Sequence, residues 1–214
     1  MWYSLVVFQL ATMISVIIDN ERQQFMGEFV MAKVLVPLAP GCEELEAVTL
    51  IDILRRGGIE VVTAGLDDDP VKASRGVTLV ADALLDSAMQ NITFDMVLIP
   101  GGMDGTTALL GYDPFLAYLR KMHEEGCYIG AICAAPMILG KAGLLAGRVF
   151  TAYPGVLDDA AFPDSRYTGD VVEIDGKVLT SRGPGTAMDF ALLLVGILAG
   201  EAVREQVHQE LVRS

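Results

Sequence analysis

An α/β fold, a flavodoxin-like three-layer sandwich around a mostly parallel sheet, is predicted for this chain by three observations. Apolar runs that fit strands alternate with helical patterns from Val34 onward, as parallel strands joined by right-handed crossovers require. The strand runs are continuously apolar, as strands covered on both faces must be. One of them, Tyr128-Ile129-Gly130-Ala131-Ile132, runs straight into Cys133-Ala134-Ala135-Pro136, and a proline there suits the first turn of a helix. Crossovers this short favour the open layout over a barrel, and 214 residues suffice for one such domain.

The first 30 residues stand apart from this pattern. Residues 1–18 are almost wholly apolar, with no Lys or Arg ahead of them and no small-x-small cleavage pattern behind, so they match neither a signal peptide nor an anchor well. The expected organisation is an N-terminal extension over 1–30, ahead of a translation start at Met31, followed by a single domain over 31–214. A weak membrane anchor within 1–18 is the alternative.

From there each element has its own signal. Residues 34–38 read as a strand, 39–42 as a loop, and 43–56 as a helix with apolar residues at Leu45, Val48, Ile51 and Leu54, ended by Gly57-Gly58. Residues 60–64 form the next strand, followed by the acidic loop Asp67-Asp68-Asp69-Pro70 and an extended run over 77–81. A buried strand over 94–99 stops at Pro100-Gly101-Gly102, and 114–125 reads as a helix. After the Cys133 turn come an extended stretch at 148–151, Tyr153-Pro154, and a hairpin centred on Asp175-Gly176, a strong two-residue turn signal. Residues 177–180 lead into Ser181-Arg182-Gly183-Pro184-Gly185-Thr186, then a buried helix over 187–198 and an amphipathic one over 202–212.

In open sheets of this kind ligands collect at the carboxyl ends of the strands. Three loops leave strands there, at Gly41, at Gly101-Gly102 and at Cys133, and they can converge. A sharp strand-to-helix turn demands small residues two before and two after its apex, as Ala131 and Ala135 are. The apex thiol would then face the first free N–H groups of the helix, whose partial positive charge favours thiolate. A small buried hydrophobe is the plain reading of such a cysteine. Glu43, Glu44 and Glu46 open the first helix, where the dipole alone accounts for one acid. If their loop lies beside the turn, one of them would approach the thiol and, held away from water, exchange a proton at neutral pH.

The totals exclude several classes. A net charge of −13 with no basic stripe argues against nucleic acid as a partner. Cys42, Cys127 and Cys133 have neither the number nor the spacing of a disulfide framework, and with His123 and His208 they form no metal-site spacing. No metal or cofactor is expected, the histidines read as surface residues, and a reducing cytoplasm suits the free thiols.

Four segments, Ala39-Pro40-Gly41-Cys42-Glu43-Glu44-Leu45-Glu46, Leu98-Ile99-Pro100-Gly101-Gly102, Ala131-Ile132-Cys133-Ala134-Ala135-Pro136 and Thr180-Ser181-Arg182-Gly183-Pro184-Gly185-Thr186, together resemble the ThiJ/PfpI superfamily. Within it the chain is similar to the Parkinsonism-associated deglycase (DJ-one) and bacterial YajL-type subfamily, over residues 32–213. The resemblance implies a sandwich of the class I glutamine amidotransferase type, a homodimer, a nucleophilic or redox-active Cys133 and a buried partner, Glu46. It places oxyanion donors at the N–H groups of Gly102 and Ala134, and puts Gly101, Tyr153, Arg56 and Arg75 around the pocket or a dimer interface.

The implied activity is cofactor-free glyoxalase or deglycase chemistry on methylglyoxal, glyoxal or their protein adducts. The alternative is a redox-sensing stress protein or chaperone whose Cys133 is oxidised to sulfinate. Two departures bear on this. Tyr153 stands where eukaryotic members carry a histidine, and a phenol is a poor base at neutral pH. Ala134 stands where the protease branch places a histidine, which disfavours peptidase activity. Cys42, in a loop at the same edge, is a candidate resolving thiol.

Overall fold

The continuous apolar runs form the strands of a central sheet. In the computed structural model the described residues are 31–157, 162 and 164–213. The expectations for residues 1–30 lie outside them. The chain divides into Met1–Met31 and a second unit, Ala32–Ser214, which is the one described.

Five parallel strands make the centre of the sheet: β1 (Lys33–Leu38), β2 (Glu60–Gly65), β6 (Met96–Ile99), β7 (Tyr128–Ile132) and β11 (Val178–Ser181). Two short strands extend it at the edges. β5 (Ala83–Leu84) pairs in parallel with β2, and β10 (Val172–Asp175) pairs antiparallel with β11 across the Asp175-Gly176 turn. The resulting order is β10-β11-β7-β6-β1-β2-β5. β2 lies on one side of β1 and β6 on the other, so the direction of winding reverses beside β1, and a crevice opens outside the carboxyl ends of the strands there. Two small ribbons stand apart from the sheet: a hairpin of β3 (Val71–Lys72) and β4 (Thr78–Leu79), and a parallel pair of β8 (Val149–Phe150) and β9 (Arg166–Tyr167).

Because side chains alternate along a strand, the sheet sorts its apolar residues into two cores. Val34, Val36, Leu38, Met96 and Leu98 face one layer, formed by α1 (Glu44–Arg56), α6 (Ala187–Ala199) and α7 (Glu201–Glu210). Leu35, Val97, Ile99, Ile129 and Ala131 face the other. That layer holds α2 (Leu85–Asn91), α4 (Asp113–Glu124) and α5 (Pro136–Lys141). Phe190 on one side and Phe115 on the other are fully buried. Among the described residues no helix is long and apolar enough to cross a membrane.

The structure corrects the reading of the chain at three points. In α1 the apolar stripe at Leu45 and Val48 faces outward, both about half exposed, while Ala47, Leu50, Ile53 and Leu54 are buried. The helix is apolar on two faces, and α6 covers only one of them. Two helices also lacked a legible signal, α2 and α3 (Met103–Leu110). α3 begins directly after the glycine pair and carries Gly105, Thr106 and Thr107, which are weak helix formers, so its stability comes from packing. The third point is His123, which is half-buried, its Nε2 3.0 Å from Arg148 Nη2.

Candidate active site

The three loops expected at the carboxyl edge do meet, and backbone hydrogen bonds tie them together. Glu43 N–H donates to the Gly101 carbonyl at 2.9 Å, joining the loop after β1 to the loop after β6. Ser74 N–H donates to the Cys42 carbonyl at 2.8 Å, bringing in the β3–β4 hairpin. Cys133 N–H donates to the Ser181 carbonyl at 3.0 Å, and its own carbonyl accepts from Tyr153 N–H at 2.8 Å. The four segments enclose a cleft of about 400 Å³ whose wall includes Gly41, Glu43, Arg75, Gly102, Cys133 and Tyr153.

Cys133 occupies a left-handed backbone conformation, with φ of 64°. For a residue with a Cβ this costs roughly 1–2 kcal/mol. Ala131 and Ala135, two residues to either side, are fully buried, so the crowding argument that made them small holds in three dimensions. Cys133 itself is 9% exposed and opens only into the cleft.

Behind it lies Glu46, on the first turn of α1 and fully buried. Its Oε2 accepts a hydrogen bond from Gly101 N–H at 2.7 Å. Its Oε1 is buried and has no hydrogen-bond partner among the described residues. Gly101 fits because it has no side chain: a Cβ there would come within 2.6 Å of Cys133 Cβ and 2.7 Å of Glu46 Oε2. Gly102, with φ of +91°, needs glycine for its conformation as well as for space.

Burial, which disfavours charge, is the main cause that raises the Glu46 carboxyl to about 7 against its ordinary 4.5. The Cys133 thiol is pushed up to about 12, first by burial and then by the neighbouring carboxylate; the N–H groups of Gly102 and Ala134 pull it down. The expectation that a helix start by itself favours the thiolate is therefore corrected. α5 has only six residues, too short a dipole to outweigh burial and the neighbouring carboxylate. A thiolate forms at neutral pH only when Glu46 carries the proton, so the pair titrates as a unit.

Of the other residues expected here, Gly101 packs against both Cys133 and Glu46, and Tyr153 and Arg75 line the cleft. Arg56 does not. It ends α1, ten residues beyond Glu46, where its Nε pairs with Asp52 Oδ2 at 2.7 Å. Cys42 is 2% exposed, outside the cleft wall, and burial together with Glu44 pushes its thiol up to about 11. Both facts disfavour a resolving role. Met103, Asp104 and Pro184 line the cleft unanticipated. Asp104 was legible only as the second residue after Gly101-Gly102, at the start of a helix the sequence did not announce.

Glu43 and Glu44 hold the hairpin. Ser74 Oγ lies 2.8 Å from Glu43 Oε2 and 3.0 Å from Glu44 Oε2, sharing its one proton between them, and Arg75 N–H donates to Glu44 at 2.9 Å. Burial raises the Glu44 carboxyl, but N–H donors from its own backbone, Arg75 and Val77 and the Ser74 hydroxyl outweigh that and bring it down to about 2. A carboxyl lowered on folding adds stability above its unfolded value of 4.5, lost as pH falls from there towards 2. A Glu44→Gln variant should therefore lose less stability than the wild type between pH 5 and 2, read from denaturant midpoints. Parallel acid limbs would contradict this assignment.

The model of the DJ-1/PfpI family matches residues 32–196. The chain belongs to that family. It is 40% identical over 182 residues to Protein DJ-1 homolog B of Arabidopsis thaliana, covering 84% of this chain and 41% of that longer relative. To Glutathione-independent glyoxalase DJR-1.2 of Caenorhabditis elegans it is 40% identical over 167 residues, 78% of this chain and 88% of the relative. The crystal structure of Drosophila melanogaster DJ-1beta superposes with a TM-score of 0.81 at 38% identity, over 86% of this chain and all of that one. The mostly parallel α/β sandwich of this chain is thus that of the DJ-1/PfpI family.

Proposed function

We propose that this protein converts small 1,2-dicarbonyls such as methylglyoxal, or their adducts, into hydroxy acids without a cofactor. The observation that carries the proposal is the buried Glu46 carboxyl behind Cys133, raised to about 7 and anchored through one oxygen only. Glu46 takes the thiol proton, and the sulfur attacks the aldehyde carbon. The carbonyl electron pair moves onto oxygen, stabilised by the N–H groups of Gly102 and Ala134, and that oxygen takes the proton back from Glu46. Glu46 then moves a proton from the first carbon to the second, while the hydroxyl proton on the first oxygen passes to the second oxygen, turning the hemithioacetal into a thioester that bears a hydroxyl on the neighbouring carbon. Water cleaves the thioester and restores the thiol. Overall one water is consumed, the aldehyde carbon is oxidised and the ketone carbon reduced, and no outside redox partner is needed.

The reactive form of the pair has lost one proton. It is populated above the carboxyl's value of about 7, so kcat/KM should rise through neutral pH to a plateau on the alkaline side. The test is lactate formation from methylglyoxal with no added thiol or metal, followed from pH 5 to 9. Absence of lactate at every pH would refute the function. A rate that peaks below pH 6 would refute the role of Glu46.

A further inference from the structure

A 1,2-dicarbonyl brings two oxygens to the site, and the paired N–H groups of Gly102 and Ala134 account for one. When the proton leaves the first carbon, negative charge develops on the other oxygen as an enediolate, which needs a donor of its own. Among the described residues of the cleft wall, few side chains can donate. Glu43 and Asp104 are carboxylates, and the Ser74 hydroxyl is engaged by Glu43 and Glu44. Arg75 and Tyr153 remain. Arg75 sits exposed at the hairpin tip, and the hydrogen bonds that fix it run through its backbone N–H. Tyr153 is tied to the Cys133 turn. Its N–H bonds the Cys133 carbonyl at 2.8 Å, and its ring lies against Gly183, where a Cβ would stand 3.3 Å from a ring carbon. Tyr153 is 49% exposed and lines the same cleft as Cys133.

We infer that Tyr153 is a catalytic residue whose phenol O–H donates a hydrogen bond to the second carbonyl oxygen of the dicarbonyl, holding it beside Cys133 and stabilising the enediolate. This rests on the proposed dicarbonyl chemistry and adds a donor to it. The proton stays on the phenol throughout, so the balance of the reaction is unchanged. Selectivity for vicinal dicarbonyls over simple aldehydes follows, because a simple aldehyde has no second oxygen to present.

The test is Tyr153→Phe, assayed beside Tyr153→His. Loss of a donor to a developing charge lowers kcat/KM for methylglyoxal about 10- to 100-fold. Alkylation of Cys133 by iodoacetamide, which uses the sulfur but not the second oxygen, stays within about twofold of wild type. The histidine variant, which restores a donor, recovers most of the turnover. Wild-type turnover by Tyr153→Phe would overturn the inference and leave the dicarbonyl chemistry standing. A matching fall in alkylation would also overturn it, since Tyr153 would then act only by positioning Cys133. A wild-type protein inert towards methylglyoxal would refute the proposed function itself, and this inference with it.

Discussion

A Cys133→Ser protein should convert methylglyoxal at least about 1,000-fold more slowly than wild type, the loss expected when a nucleophile is removed from a site that acts as a unit. Serine nearly matches cysteine in size, so the fold is kept. The difference lies in acidity. The Cys133 thiol is held up in part by the charge on Glu46, and that part is relieved once Glu46 takes the proton, whereas an alcohol is far too weak an acid to pass its proton to a carboxyl. Serine nucleophiles elsewhere depend on a stronger base, such as a histidine or a lysine. Among the described residues no histidine lines this cleft, and His123 lies against Arg148. A second variant, Cys133→Gly, separates chemistry from stability. It gives up a buried sulfur but relieves the strain of a φ of 64°, roughly 1–2 kcal/mol. These effects oppose each other, so Tm should stay within about 4 °C of wild type while turnover disappears. A serine variant with wild-type rates would remove Cys133 from the mechanism.

Much of this arrangement could be read from residue order, for a physical reason. Strands buried on both faces must be continuously apolar, and a sharp strand-to-helix turn must have small neighbours, so β6, β7 and the Cys133 apex were all legible. What was not legible depended on which of several equivalent faces finds a partner. α1 carries apolar residues on two sides, and only the packing of α6 decides that Leu50 is buried and Val48 exposed. Choosing among three glutamates met the same limit. Spacing alone puts all of them on one helical turn. The structure separates them: Glu46 points into the core, and Glu43 and Glu44 bind the hairpin. The electrostatics inverted for a related reason. A helix start is visible in sequence, whereas the burial of the sulfur and the carboxylate beside it are tertiary facts and have the larger effect.

Glu46→Gln should be more stable than wild type at pH 8 and much less active. The carboxyl's native value of about 7 lies above the ordinary 4.5, so the folded state binds this proton more tightly than the unfolded chain does. The benefit of a protonated Glu46 is complete below pH 4.5. It is lost as pH rises through 7, and above that the buried charge is a constant penalty. A shift of that size corresponds to roughly 3 kcal/mol as an upper bound. Glutamine carries no charge at any pH and can still accept the Gly101 N–H with its amide oxygen. Its advantage should therefore be on the order of 1–3 kcal/mol at pH 8 and vanish by pH 4, seen as wild-type and variant denaturant midpoints that converge on acidification. Turnover should fall by a factor of about 100 or more, because the amide cannot carry a proton between carbons. Midpoints that differ equally at pH 4 and pH 8 would show that folding does not shift the Glu46 carboxyl, and the proton carrier would have to be sought elsewhere in the cleft. The coupling of the two readouts is the point: the same buried carboxyl that costs the fold stability at pH 8 is the group that lets a thiol without a histidine become a nucleophile.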